Sequence, residues 1–105
     1  MITVPASKIG TYSDLLDEQI AAVSVDGVKI ALYKIKENVF ATNEMCTHDE
    51  CSLEDFGKIR GDEVECMCHG AMFNIKTGEV TKGPATIALK TYPVKIINDD
   101  IWIEL

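Results

Sequence analysis

All four cysteines and both histidines of this chain lie in one segment, from Cys46 to His69. The segment contains Cys46-Thr47-His48 and, after a loop, Cys66-Met67-Cys68-His69. Two cysteines and two histidines spaced as C-x-H and C-x-x-H are a typical set of metal ligands. The chain must therefore fold so that two separate loops meet at one metal site.

The length and charge of the chain limit the possible partners. Its 105 residues fit one domain, and 47% hydrophobic residues are enough for a modest core. The formal net charge is -7. We expect no nucleic-acid partner and no membrane partner, because both carry negative charge that an acidic surface repels. An acidic surface suits a basic protein partner instead; the alternative is that the charge only maintains solubility.

The N-terminal residues predict no export signal. Met1 to Pro5 lack the basic and apolar regions of a signal peptide, and no apolar run is long enough to span a membrane. We therefore predict a cytoplasmic location, where clustered cysteines are usually reduced, catalytic or metal-bound.

The pattern outside the metal motif predicts an all-β fold. Strands are expected at 20–25 and 28–35, joined by the hairpin turn Asp26-Gly27, with Val28, Ile30 and Leu32 on one face. Further short strands are predicted at 39–42, 58–60, 63–66, 71–75, 79–81, 90–97 and 101–105, with an edge or bulge at Pro93. Residues 4–18 show little pattern, and 43–56 read as a long loop. Short strands without a convincing helix indicate an antiparallel sandwich or barrel.

Two metals fit the ligand set. Zinc accepts a closed tetrahedral site of two cysteines and two histidines. Zinc modules, however, are usually small and use the metal in place of a core, whereas this chain has enough strands to build one.

The second possibility is a [2Fe–2S] cluster with mixed ligands. Cys46 and Cys66 would hold one iron, and His48 and His69 the other. Two thiolates leave the oxidised centre close to neutral, which makes it easier to reduce than a centre with four thiolates.

The motif carries a family resemblance. Cys46-Thr47-His48 and Cys66 to Gly70, followed by Phe73-Asn74 and Thr77-Gly78, resemble the Rieske iron–sulfur motif. Gly83-Pro84-Ala85 and residues 90–94 are similar to small soluble Rieske ferredoxins that serve multicomponent aromatic-ring oxygenases. The resemblance implies one Rieske domain, an antiparallel β-sandwich. A cluster-binding subdomain of about residues 44–81 would be inserted into a base formed by 1–43 and 82–105.

The resemblance also implies the site. One [2Fe–2S] cluster per chain would be bound by Cys46, His48, Cys66 and His69. The residues expected to surround the cluster and its ligands are Thr47, Met67, Gly70, Ala71, Phe73 and Pro84.

The remaining two cysteines combine features of different relatives. Cys51 and Cys68 occupy positions similar to a pair in respiratory and photosynthetic Rieske proteins, where the pair forms a disulfide between the cluster loops. The resemblance therefore implies a Cys51–Cys68 disulfide; the alternative is two buried thiols. High-potential relatives carry Ser and Tyr where this chain has Ala71 and Phe73. Without those hydroxyl donors, we expect a low reduction potential.

These implications predict an electron-transfer protein and not an enzyme. The chain would accept one electron from a reductase, an NAD(P)H-dependent flavoprotein, and pass it to a terminal oxygenase or another oxidoreductase. An apolar rim of Phe56, Met67 and Pro84 would form the docking surface. The alternatives are a Rieske subunit of a larger oxidoreductase complex and a zinc-binding structural module.

Overall fold

The computed structural model describes residues 6–45, 51–68, 70–83 and 87–104. Within these ranges, most of the regular structure is β-strand. The strands are β1 (Ala6–Thr11), β2 (Ile20–Val25), β3 (Val28–Ile35), β4 (Asn38–Asn43), β5 (Gly57–Arg60), β6 (Glu63–Cys66), β7 (Ala71–Asn74), β8 (Val80–Lys82), β9 (Thr91–Tyr92), β10 (Val94–Ile97) and β11 (Asp100–Glu104). A 3₁₀ turn at Tyr12–Asp14 and a one-turn helix α1 at Leu53–Phe56 complete the elements. The predicted all-β class is confirmed.

The strands form three antiparallel sheets. The terminal sheet has the order β1-β11-β10, the central sheet β2-β3-β4-β9, and the site sheet β5-β6-β7-β8. The site sheet is built from consecutive strands, so each of its pairings is local in the chain. The terminal sheet instead pairs the first strand with the last one.

The central sheet has a hydrophobic core on each face. Side chains alternate between the two faces of a strand. In β3, Ile30 and Leu32 join the core that faces the terminal sheet. Ala31 and Tyr33 join the core that also contains residues of the site sheet. Val28 is 36% exposed, so the predicted apolar face begins at Ile30, and the near-continuous apolar run reflects burial on both faces.

Two features that the sequence predicted, the Asp26-Gly27 hairpin turn and the irregularity at Pro93, are present in the structure. Asp26 and Gly27 have φ values of 50° and 81°, which is the backbone that a tight two-residue hairpin between β2 and β3 requires. Pro93 separates β9 in the central sheet from β10 in the terminal sheet, so the predicted single strand over 90–97 is two strands. Since proline has no N–H to donate, it suits this crossing point between sheets.

Two elements differ from the sequence-based expectation. β1 lies in a region that showed little pattern; it forms because it pairs with β11, from Ala6–Glu104 to Thr11–Asp100. The helix α1 lies in the predicted loop 43–56, where the Ser52 hydroxyl accepts the N–H of Asp55 at 3.4 Å. In the described part of the chain, no helix has the length and apolar character needed to cross a bilayer.

Candidate functional site

A tight turn at the end of the site sheet carries one of the two predicted ligand loops. β6 ends at Cys66 and β7 begins at Ala71, and these two residues face each other in the ladder. The N–H of Gly70 donates to the carbonyl oxygen of Cys66 at 2.8 Å and closes the turn. Gly70 has a φ of 82°, a conformation that glycine adopts with little strain.

Cys66 is fully buried at the base of this turn. Its side chain is 0% exposed and belongs to the core that also contains Leu53, Val64 and Phe73. Among the described cysteines it is the free thiol. A buried, unbonded thiol at a loop base is suited to bind a soft or borderline metal ion.

The segment that leads into α1 forms the opposite side of the site. Met45 and Ser52 form an isolated antiparallel bridge. The N–H of Leu53 points at Glu44, whose backbone oxygen lies at 2.8 Å and whose carboxylate oxygen lies at 3.0 Å. Leu53 is fully buried and Glu44 is 7% exposed, so backbone and core together fix the start of α1.

A disulfide joins the two sides. Cys51 and Cys68 are bonded, with a Cα–Cα distance of 6.7 Å and a sequence separation of 17. The structure thus contains the pairing that the resemblance implied. The sulfur atoms of Cys51, Cys66 and Cys68 all lie within 4.8 Å of one another, so the free thiol lies directly beside the bridge.

Exposed apolar side chains lie next to the disulfide. The N–H of Met67 donates to the carbonyl oxygen of Phe56 at 2.7 Å, which holds the two residues side by side. Met67 is 53% exposed and Phe56 is 48% exposed. The acidic residues Glu54 and Asp55 are exposed on α1, immediately before Phe56. This combination of apolar and acidic groups suits contact with another protein.

Two buried side chains beside the turn lack a hydroxyl group. Ala71 and Phe73 are both 0% exposed and lie at alternate positions of β7. Ala71 is the ladder partner of Cys66, and Phe73 is the partner of Val64. Neither side chain can donate a hydrogen bond toward the site.

Several predicted site residues lie outside the described part of the chain. These are the ligands Cys46, His48 and His69, together with Thr47 and Pro84. The structure therefore places Cys66, Met67, Gly70, Ala71 and Phe73 of the predicted set and brings Cys66 beside the Cys51–Cys68 bridge.

The segment between β8 and β9 makes hydrogen bonds to the central sheet and to the turn between β7 and β8. These contacts were not predicted from the sequence. Asn43, at the end of β4, donates its N–H to the carbonyl oxygen of Lys90 at 3.0 Å and accepts the Lys90 N–H on its side chain at 2.6 Å. The N–H of Leu89 donates to the carbonyl oxygen of Gly78 at 2.8 Å. The Thr77-Gly78 turn gave a local signal, but no sequence pattern links Asn43 to Lys90.

Comparison with known proteins gives a consistent result. A Rieske [2Fe-2S] domain matches residues 6–93. The ferredoxin component of a naphthalene 1,2-dioxygenase system from Pseudomonas putida is 39% identical over 104 residues, which cover 99% of each chain. Such a relative is named as a ferredoxin component, in agreement with the predicted electron-transfer protein. A Rieske domain implies a [2Fe–2S] cluster, which favours iron over zinc.

Solved structures support the same comparison. A ferredoxin from Sphingomonas yanoikuyae B1 superposes with a TM-score of 0.89 at 31% identity, covering 96% of this chain and 99% of that one. The ferredoxin in a complex of reduced oxygenase and oxidized ferredoxin of carbazole 1,9a-dioxygenase gives a TM-score of 0.88 at 30% identity, covering 94% and 92%.

Proposed function

Because this chain belongs to the family of Rieske [2Fe–2S] domain proteins, we propose that it is the one-electron carrier of an oxygenase system. It accepts an electron from an NAD(P)H-dependent flavoprotein reductase and passes it to a terminal oxygenase. The observation that carries this proposal is the position of Cys66. Its buried free thiol lies at the base of a tight turn at the end of the site sheet, with exposed Phe56 and Met67 on the adjoining surface.

The donor set fits one cluster per chain. We assign Cys46 and Cys66 to one iron and His48 and His69 to the other, from the C-x-H and C-x-x-H spacing and the free, buried Cys66 thiol. The bound cluster supplies reversible one-electron oxidation and reduction. The Cys51–Cys68 disulfide joins the segment that leads into α1 to the turn that carries Cys66, so a covalent link holds the two sides of the site together.

The surface beside the site provides the contact with redox partners. Phe56 and Met67 form an apolar patch, which excludes water when a partner binds. Glu54 and Asp55 steer a partner with a basic docking face toward that patch. The relative with known oxygenase contact, the carbazole 1,9a-dioxygenase ferredoxin, has the same fold.

We also propose the division of the domain and its location. The base comprises residues 1–43 and 82–105, and the cluster-binding part comprises about 44–81. The cluster-binding part contains the site sheet apart from the last residue of β8, Lys82. We place the protein in the cytoplasm, where NAD(P)H-dependent reductases operate.

Reconstitution tests the proposal. The chain, loaded with iron and sulfide, should be red-brown and give a visible spectrum and a reduced-state electron paramagnetic resonance signal, with two irons per chain. It should then mediate NADH-dependent turnover when added to a flavoprotein reductase and an aromatic-ring oxygenase. Elution at monomer size, apart from other subunits, supports a free carrier. A colourless zinc protein, or permanent association with a larger oxidoreductase, overturns the proposal.

A further inference from the structure

Three sulfur atoms form a compact group beside the proposed cluster site. The Sγ atoms of Cys51, Cys66 and Cys68 lie within 4.8 Å of one another. Cys66 is fully buried, and the two bridged cysteines are half-buried. Of these three cysteines, only Cys66 is a proposed cluster ligand. The other two form the disulfide that links the two sides of the site.

Contacts other than the disulfide also anchor the two segments that carry these sulfurs. Cys66 and Cys68 belong to one turn, which is closed by the hydrogen bond from Gly70 to Cys66. Cys51 precedes Ser52, which bridges to Met45, and Leu53, which is buried in the core and bonded to Glu44. We therefore expect the three thiols to stay close together when the S–S bond is reduced.

We propose that reduction of the disulfide in the cluster-free chain creates a trithiolate site for Zn²⁺, and that the disulfide keeps this site closed. An external dithiol supplies the two electrons and two protons that convert the Cys51–Cys68 bond into two thiols, and the dithiol becomes a disulfide. Binding of Zn²⁺ to Cys51, Cys66 and Cys68 then releases three protons.

The geometry suits a tetrahedral ion. With Zn–S bonds of about 2.3 Å, neighbouring thiolate sulfurs of a tetrahedral site lie about 3.8 Å apart. After reduction, the sulfurs of Cys51 and Cys68 must separate from bonding distance to that spacing, whereas Cys66, at most 4.8 Å from either, must approach them by no more than about 1 Å. Three soft thiolates in partly apolar surroundings also match the ligand type that zinc prefers.

The disulfide thereby has a second role, which is metal selection. Cys66 is shared between the trithiolate site and the proposed cluster, so the two metal centres exclude each other. Oxidation of Cys51 and Cys68 removes two of the three zinc ligands and leaves Cys66 for iron. This competition rests on the proposed function, whereas the trithiolate site itself does not.

Cobalt titration of the cluster-free full-length chain tests the proposal. One sample keeps its disulfide; the other is reduced with a phosphine, which takes the place of the dithiol, and is desalted without oxygen. The reduced sample should bind one Co²⁺ per chain with sulfur-to-cobalt charge-transfer absorption, and Zn²⁺ should displace the cobalt. The oxidised sample, in which only Cys46 and Cys66 remain as thiols, should show clearly weaker absorption per bound cobalt, because the band grows with the number of thiolate ligands. Equal absorption by the two samples, or none by the reduced one, overturns the proposal.

Variants separate this site from a Cys46-His48-Cys66-His69 zinc site. Cys51→Ser and Cys66→Ser should each abolish the charge-transfer band of the reduced chain, while Cys46→Ser should keep it. Loss of the band in Cys46→Ser, or its survival in Cys51→Ser, contradicts the proposal. A measurement on the unmodified chain avoids any folding defect of a variant. In the reduced chain Zn²⁺ should protect Cys51, Cys66 and Cys68 from alkylation, as mapped by mass spectrometry, and protection of Cys46 instead overturns it.

Discussion

The carbonyl oxygen of Leu89 occupies the space that a β-carbon on Gly78 would need. Gly78 also has a φ of 80°. Only glycine meets both conditions, because any side chain would strain the backbone and push Leu89 away. The turn between β7 and β8 is thus in direct contact with the segment that returns from the site to β9.

We predict that Gly78→Ala destabilises the protein by about 2–4 kcal/mol, from the positive φ and the displaced backbone together. Gly27→Ala is the matched control: its φ is 81°, but nothing lies within 4 Å of the added carbon, so its cost should be about 1–2 kcal/mol. Urea unfolding of both variants measures the difference. Equal losses would show that the contact with Leu89 adds nothing.

Removal of the disulfide should lower the stability of the cluster-free protein. The bridge closes a loop with a sequence separation of 17, for which the chain-entropy estimate is about 3 kcal/mol. The double variant Cys51→Ser/Cys68→Ser should therefore unfold at a lower denaturant concentration than the oxidised parent. A phosphine reductant should destabilise the parent and leave the double variant unchanged. Stability of the parent that does not respond to reductant would contradict this prediction.

A hydroxyl group at position 71 should raise the reduction potential of the cluster-loaded protein. Ala71 is buried opposite Cys66, and the serine hydroxyl of an Ala71→Ser variant would supply a donor that favours the more negative, reduced form. A donor that favours the reduced form by about 1.4 kcal/mol raises a one-electron potential by about 60 mV. Voltammetry of this variant measures the shift. Ala41→Ser, in the core on the other side of the central sheet, adds the same atom and should leave the potential unchanged.

The apolar patch of Phe56 and Met67 should contribute to partner binding. Replacing both by Gln should raise the KM of the terminal oxygenase for this protein by about tenfold, since a buried anchor side chain contributes about 1 kcal/mol or more. The control is Leu16→Gln, which removes a side chain that is 71% exposed in the segment before β2. An unchanged KM in the double variant, with an intact cluster spectrum, would exclude this patch as the docking surface.

The side chain of Asn43 should stabilise the segment that leads into β9. Asn43→Ala removes the acceptor of the exposed Lys90 N–H, and we expect a loss of about 0.5–1.5 kcal/mol, the net contribution of a typical hydrogen bond. Hydrogen exchange at the Lys90 amide should accelerate more than exchange in β6. Asn38→Ala, at the exposed start of the same strand, should have no measurable effect on either quantity.

The features that could be predicted from the sequence depend on local chemistry. Asp26-Gly27 specifies its hairpin because both residues tolerate positive φ, and the spacing of Cys66 and Cys68 places them in one loop. β1 could not be predicted, since it is defined by a partner at the other end of the chain. The helix α1 is one turn long, too short for periodicity to reveal, although Ser52 followed by Asp55 is a capping pattern.

At the site, too, some features could be predicted from the sequence and others depend on tertiary packing. The resemblance implied the Cys51–Cys68 pairing, and the structure contains it. The proximity of the free Cys66 thiol to that bridge, and the Asn43–Lys90 contact, arise from tertiary packing and have no counterpart in spacing or composition. The assignments of Cys46, His48 and His69 remain predictions from the motif.

The pairing of β1 with β11 has a consequence for the order in which the chain folds. The hairpins of the site sheet join neighbouring strands and can close as soon as they leave the ribosome. β1, by contrast, precedes the other described strands in the chain, yet its ladder cannot form until β11, from Asp100 to Glu104, has been synthesised. During synthesis, the site sheet can therefore form while β1 is still unpaired.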